Sequence, residues 1–134
     1  MPCDETSAEI VLMVDNNERL SDYKYEKINC GKEVGIGDKY RNYSLSKVID
    51  ELAEIDFKTA MEACPTSGKE EEFLLFMEWK AVREALRAYL GKEGETDIAR
   101  YKIAEIIRGE DSVTIRMIIF SPEGMPEIVP CGET

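Results

Sequence analysis

The chain has 134 residues, with 28 acids against 17 bases for a net charge of −11, and it contains no histidine. A chain of this length suits one domain and buries roughly two thirds of its unfolded surface without a covalent staple. With 43% hydrophobic and 34% charged residues it reads as globular, which sets aside the disordered and membrane-spanning classes.

The chain-order reading starts from an acidic end, Met1-Pro2-Cys3-Asp4-Glu5, where a secretory signal carries base. The expectation is a single domain over 1–134 in a reducing cytoplasm, with loosely ordered ends at 1–7 and 122–134. Ala8 to Val14 is rich in Ile, Val and Leu and predicts a strand. Asp15-Asn16-Asn17-Glu18 supplies turn formers, and Tyr23 to Ile28 alternates aromatic with charged residues, so the two segments predict a hairpin. Gly31 to Gly37 then reads as a loop with three glycines.

A first helix is expected from a cap at Ser44 or Ser46 to Cys64, where Pro65 disfavours helical geometry in the residue before it. Leu45, Val48, Leu52 and Ile55 give it an apolar face. A second helix over 68–90 is the clearest element. Ser67 and Glu70 have capping-box spacing, and Leu75, Trp79, Val82, Leu86 and Tyr89 form a stripe at helical steps. Gly91 stands where a C-terminal cap belongs.

Residues 98–108 fit either a helix between Thr96 and Gly109 or a strand from Tyr101 to Arg108. Pairing the strand with Val113 to Phe120 sets Glu105 against Arg116, Ile103 against Ile118 and Tyr101 against Phe120, and this cross-strand chemistry favours the hairpin. A short edge strand is possible at Ile128-Val129. The predicted fold is α+β: an antiparallel sheet of about four strands with two helices packed on one face, in the order β-β-α-α-β-β.

Without histidine, no Ser-His-Asp or Cys-His arrangement exists, and acid–base chemistry falls to carboxylate, Lys, Tyr or Cys. The four cysteines, Cys3, Cys30, Cys64 and Cys131, have no CxxC spacing, so neither a zinc site nor any other cofactor is expected. Gly35-Ile36-Gly37 begins a dinucleotide-type glycine pattern, but Tyr40 stands where its third glycine belongs. The Gly68-Lys69 pair lacks both the glycine at 63 and the Ser or Thr at 70 of a phosphate loop.

Charge is the strongest remaining signal. Residues 48–78 hold nine acids and two bases. Asp50, Glu51, Glu54, Glu71 and Glu72 are the candidate surface for a protein partner with a basic face, or for mimicry of nucleic-acid phosphates. The bland alternative is a solvated surface, with Glu70 to Glu72 answering the helix dipole and Glu54 pairing with Lys58. Tyr23, Tyr25, Lys39, Tyr40 and Arg41 interleave rings with bases, a pattern that can hold single-stranded nucleic acid, although the net charge opposes a polyanion. The functional expectation is a small regulatory or accessory protein that binds a macromolecule. The alternative is a small-molecule binder or small enzyme using Cys and carboxylate chemistry in a pocket between sheet and helices.

Overall fold

The computed structural model describes residues 7–27, 38–92 and 101–120. Its elements run β1 (Ser7–Asp15), β2 (Leu20–Lys27), α1 (Lys39–Ser44), α2 (Ile49–Leu52), α3 (Phe57–Ala63), α4 (Lys69–Leu90), β3 (Tyr101–Arg108) and β4 (Ser112–Phe120). The predicted α+β class holds: four antiparallel strands in the order β2-β1-β4-β3, with the helices between the two hairpins in sequence. The glycine loop at 31–37, Cys3, Cys30, Cys131, the segment at Ile128-Val129 and the chain ends 1–6 and 122–134 lie outside the described residues.

Period-two alternation sorts the sheet into two faces. Ala8, Ile10, Leu12 and Val14 of β1 share one face with Tyr23 and Tyr25 of β2 and with Ile115, Met117 and Ile119 of β4, and all of them are buried. The other face carries Glu9, Val11, Met13, Arg116, Ile118, Glu105 and Ile107, which are exposed or half-exposed. There Arg116 donates to Glu9 and reaches Glu105 at 3.7 Å.

α4 covers the apolar face. Its 22 residues span about 33 Å. Gly91 ends it in the left-handed conformation at φ 78°, where a side chain would be strained. The expected capping box is displaced by one residue: Gly68 is the N-cap, and Glu71, not Glu70, accepts from the Ser67 backbone N–H at 2.9 Å. Leu75, Val82 and Leu86 are fully buried as the stripe predicts. Trp79 turns toward the short helices instead. Its indole N–H donates to the Ile55 carbonyl at 2.9 Å, and its ring packs with Phe57 and Phe76.

The single helix expected from Ser44 or Ser46 to Cys64 is two short helices, α2 and α3, and a further one, α1, ends at Ser44. Neither serine caps one: the Ser44 hydroxyl donates back to the Tyr40 carbonyl, and Ser46 has φ 73°. Residues 46–49 instead run beside the start of β2. Leu20 N–H donates to Lys47, Ser46 N–H to Leu20, and Ile49 N–H to Glu18. Of the predicted apolar face, Leu52 is buried and Leu45 and Ile55 pack against the core, but Val48 stays half-exposed and Ile49 takes the inward place. α3 restarts at Asp56, whose carboxylate accepts from Thr59 N–H at 2.9 Å.

Residues 101–108 form the strand, and Glu105 faces Arg116 as expected. A bulge between Ile103 and Glu105 shifts the rest, so Ile103 faces Met117 and Tyr101 faces Ile119. No helix among the described residues is long and apolar enough to cross a membrane.

Because Leu86 is fully buried under this helix, Leu86→Ala is expected to cost about 2–5 kcal/mol in urea denaturation. A loss below about 0.5 kcal/mol would place the side chain outside the core.

Candidate functional site

The five candidate acids do not form one cluster. Asp50 and Glu54 lie beside the C-terminal end of α4, where Lys92 bridges them at 3.2 Å each and Arg87 reaches Glu54 at 3.4 Å. The carboxylates hold the Lys92 ammonium above its ordinary pKa, chiefly through these hydrogen bonds. Glu71 lies at the other end of the helix, sixteen residues from Arg87 and therefore about 24 Å along the axis. It caps Ser67, which lowers its pKa, and it pairs with Lys39 at 3.6 Å. Glu51 is exposed and Glu72 half-exposed, and neither has an ion-pair partner among the described residues. Glu54 therefore pairs with bases distant in sequence and not with Lys58.

Folding also redistributes charge. The described residues carry nineteen acids and fifteen bases, a net of −4, and the remaining −7 belongs to residues outside them. Bases late in α4 return to the acids of α2 and the turn after it, so the sequence-local excess over 48–78 is diluted in space.

The basic–aromatic set separates by burial. Tyr23, Tyr25 and Tyr40 are core residues, with no ring face available for a base to stack on. Lys39 and Arg41 remain outside, but each already holds an acid: Lys39 pairs with Glu71, and Arg41 holds Asp22 at 2.7 Å and lies 3.7 Å from Asp38. The Arg41 hydrogen bond keeps the Asp22 carboxyl below its ordinary pKa. Tyr23 and Tyr25 point inward from the half-buried strand β2, whereas Lys39, Tyr40 and Arg41 belong to α1.

Those inward rings meet the principal buried carboxylate. Glu78 is 2% exposed, and the Tyr23 hydroxyl donates to its Oε2. Burial first, and the Glu78 charge second, raise the Tyr23 pKa far above the ordinary tyrosine range, and the same two causes raise Tyr25. Burial also raises Tyr40. Cys64 caps α3 at the border of this cluster. Burial and then Glu78 raise its thiol pKa, against a smaller opposing effect from Lys39. That is the reverse of what activates a thiolate nucleophile. The cluster brings Cys and carboxylate together between sheet and helices, as the enzyme alternative requires, but Tyr23, Tyr25, Tyr40, Cys64 and Glu78 are all sealed from solvent.

Counting acids by sequence placed Glu78 on the surface. Its position argued otherwise, because it stands three residues after Leu75 and four before Val82, within the apolar stripe. Glu84 was not singled out and is also buried, at 1% exposed. Lys80 and Arg83 reach its Oε2 at 3.4 and 3.3 Å, while Oε1 is buried without a hydrogen-bond partner.

No protein-family model, curated protein or solved structure matches the chain.

The raised tyrosines set an alkaline limit on stability. A raised folded pKa favours the neutral phenol in the native state, so the stabilisation is intact below about pH 10, the ordinary tyrosine value, and is lost as pH climbs above it. The three phenols together are expected to steepen the loss by about 4 kcal/mol per pH unit. Tyr25→Phe is expected to flatten that slope by about a third in urea titrations between about pH 9 and 11. An unchanged slope would mean that Tyr25 ionises as freely as in the unfolded chain.

Proposed function

We propose that the chain is a non-catalytic accessory protein that binds a macromolecule with a basic surface, in the cytoplasm. The observation that carries this reading is the excess of eleven negative charges, with Asp50, Glu51, Glu54, Glu71 and Glu72 all exposed or half-exposed. A field of that sign raises the rate of encounter with a cationic partner and repels nucleic acid. Surface ion pairs such as Lys92 with Asp50 contribute little and compete weakly with a partner, so they do not remove these acids from recognition. The absence of histidine and the sealed, raised Cys64 thiol further support a binding role over a catalytic one.

Glu51 and Glu72 are the acids to test, because Glu54 and Glu71 also hold Arg87, Lys92, Lys39 and Ser67. The probe is a ten-residue lysine peptide, with its association rate followed by stopped flow at low and high salt. Glu51→Gln with Glu72→Gln is expected to slow association several-fold at low salt, and the effect should fade above ~0.15 M, where the screening length is about 8 Å. Glu110→Gln with Asp111→Gln changes the net charge equally in the β3–β4 turn, outside the helices, and serves as the control. An equal loss in both double variants would remove the helical surface from the reading, and no salt dependence in the unaltered chain would remove the reading itself.

A further inference from the structure

We propose that two copies of the chain join edge to edge through β3, pairing antiparallel about Ile107 to make one continuous eight-stranded sheet. The sheet order leaves β2 and β3 at its edges. The start of β2 is covered by the backbone of residues 46–49, whereas β3 has β4 as its one neighbour among the described residues. The hydrogen-bond phase of that edge follows from the turn. Gly109 N–H donates to the Ser112 carbonyl at 2.8 Å, so Ile107 and Glu105, in step with Gly109, direct their N–H and C=O groups toward β4. Ile106 and Arg108 alternate with them and direct theirs outward, a template for another strand.

The same stretch exposes apolar side chains on both faces. Ile107 is 52% exposed on the open face, and Ile106 is 36% exposed on the helical face, beside Arg108, whose guanidinium lies over the Tyr89 ring of α4. Antiparallel pairing about Ile107 sets Ile107 against the partner's Ile107. It sets Ile106 against the aliphatic stem of the partner's Arg108, with both N–H and both C=O groups of that pair bonded. The two-fold axis repeats that pair on either side of Ile107, and the pairing ends at Arg108, where the turn leads away to β4.

Charge selects a second copy over a strongly basic strand. Residues 101–120 hold three acids and three bases, so this hairpin is neutral in a chain of net −11. Two copies therefore meet there without net repulsion between the hairpins themselves. The bulge limits the straight edge to a few residues, which leaves the contact below the ~800 Å² per partner of a standard interface. The dimer is therefore weak and forms at high protein concentration. Its salt response is opposite in sign to that of a cationic partner: screening weakens the repulsion between two acidic chains and favours the dimer.

Analytical ultracentrifugation of the full chain up to about 1 mM tests this, a range chosen for an interface below standard size. The expected mass rises from the monomer's 15.2 kDa toward twice that value, and rises further with added salt. Ile107→Lys, at an exposed position, is expected to stay folded by circular dichroism and to remain monomeric, because like charges then meet at the axis. An equimolar mixture of Ile107→Lys with Ile107→Glu is expected to restore the dimer. Amide exchange at Ile106 and Arg108 in the unaltered chain is expected to slow as concentration rises. A monomer throughout, a dimer that persists in Ile107→Lys, or unprotected Ile106 and Arg108 amides at a concentration where dimer forms would each overturn the proposal.

Discussion

Everything in this fold depends on one coverage problem: a four-stranded sheet with an apolar face must be sealed by one long helix. β1 and β4 are the central strands, and every residue that they direct to that side from Ala8 to Leu12 and from Ile115 to Ile119 is buried. Each fully buried aliphatic side chain contributes roughly 1.5–3 kcal/mol, so the face is the main source of cohesion. α4 meets it with Leu75, Val82 and Leu86 and with the small residues Ala81 and Ala85, which let the helix approach closely. The short helices have a secondary task. They close the flank of α4 through the Phe57, Phe76 and Trp79 cluster, and among the described residues no helix covers the other side of the sheet.

Sealing that face puts a carboxylate where a carboxylate is costly. Glu78 lies within the stripe that α4 presents inward, and a lone buried charge would oppose the packing. The phenol of Tyr23 answers it from the neighbouring strand, which ties the edge strand β2 to the helix by a directional contact as well as an apolar one. A polar pair of this kind fixes how the helix is rotated over the sheet, since turning it by one residue would break the bond and bury an unpaired acid. The alternation of Tyr23, Lys24, Tyr25 and Glu26 is thereby explained without any ligand: the rings serve the core, and the charges stay wet.

The hairpins and the long helix were legible in the sequence because their periods are strong and their neighbours few. Two things were not. The apolar spacing over 45–55 reads as one helix, and what breaks it, turning Ile49 inward in place of Val48, is the backbone pairing of residues 46–49 with Leu20 and Glu18, a contact distant in sequence. The bulge in β3 left the opposition of Glu105 to Arg116 intact but moved every pair before it, a shift that side-chain chemistry alone does not mark. The candidate site was harder still. Local counting made 48–78 an acidic block, yet Arg87 and Lys92 return to Glu54 across more than thirty residues, and one of the nine acids is in the core. Charge per segment and charge per surface are different quantities, and only folding converts one into the other.

The central seam of the sheet carries a kinetic consequence. β1 pairs with β2 and β3 with β4 across short turns, and such hairpins close in microseconds. The β1–β4 ladder, however, joins Ser7 to Phe120 and Asp15 to Ser112, nearly the two ends of the described chain. Its closure entropy must be met before the contacts it makes can stabilise anything. The two hairpins and α4 can therefore exist as separate, partly ordered pieces before the sheet is continuous, and high contact order of this type slows folding. While the seam is open, β1 and β4 each expose an apolar strand edge, so during folding the vulnerable edges are the two that the native sheet hides in its middle.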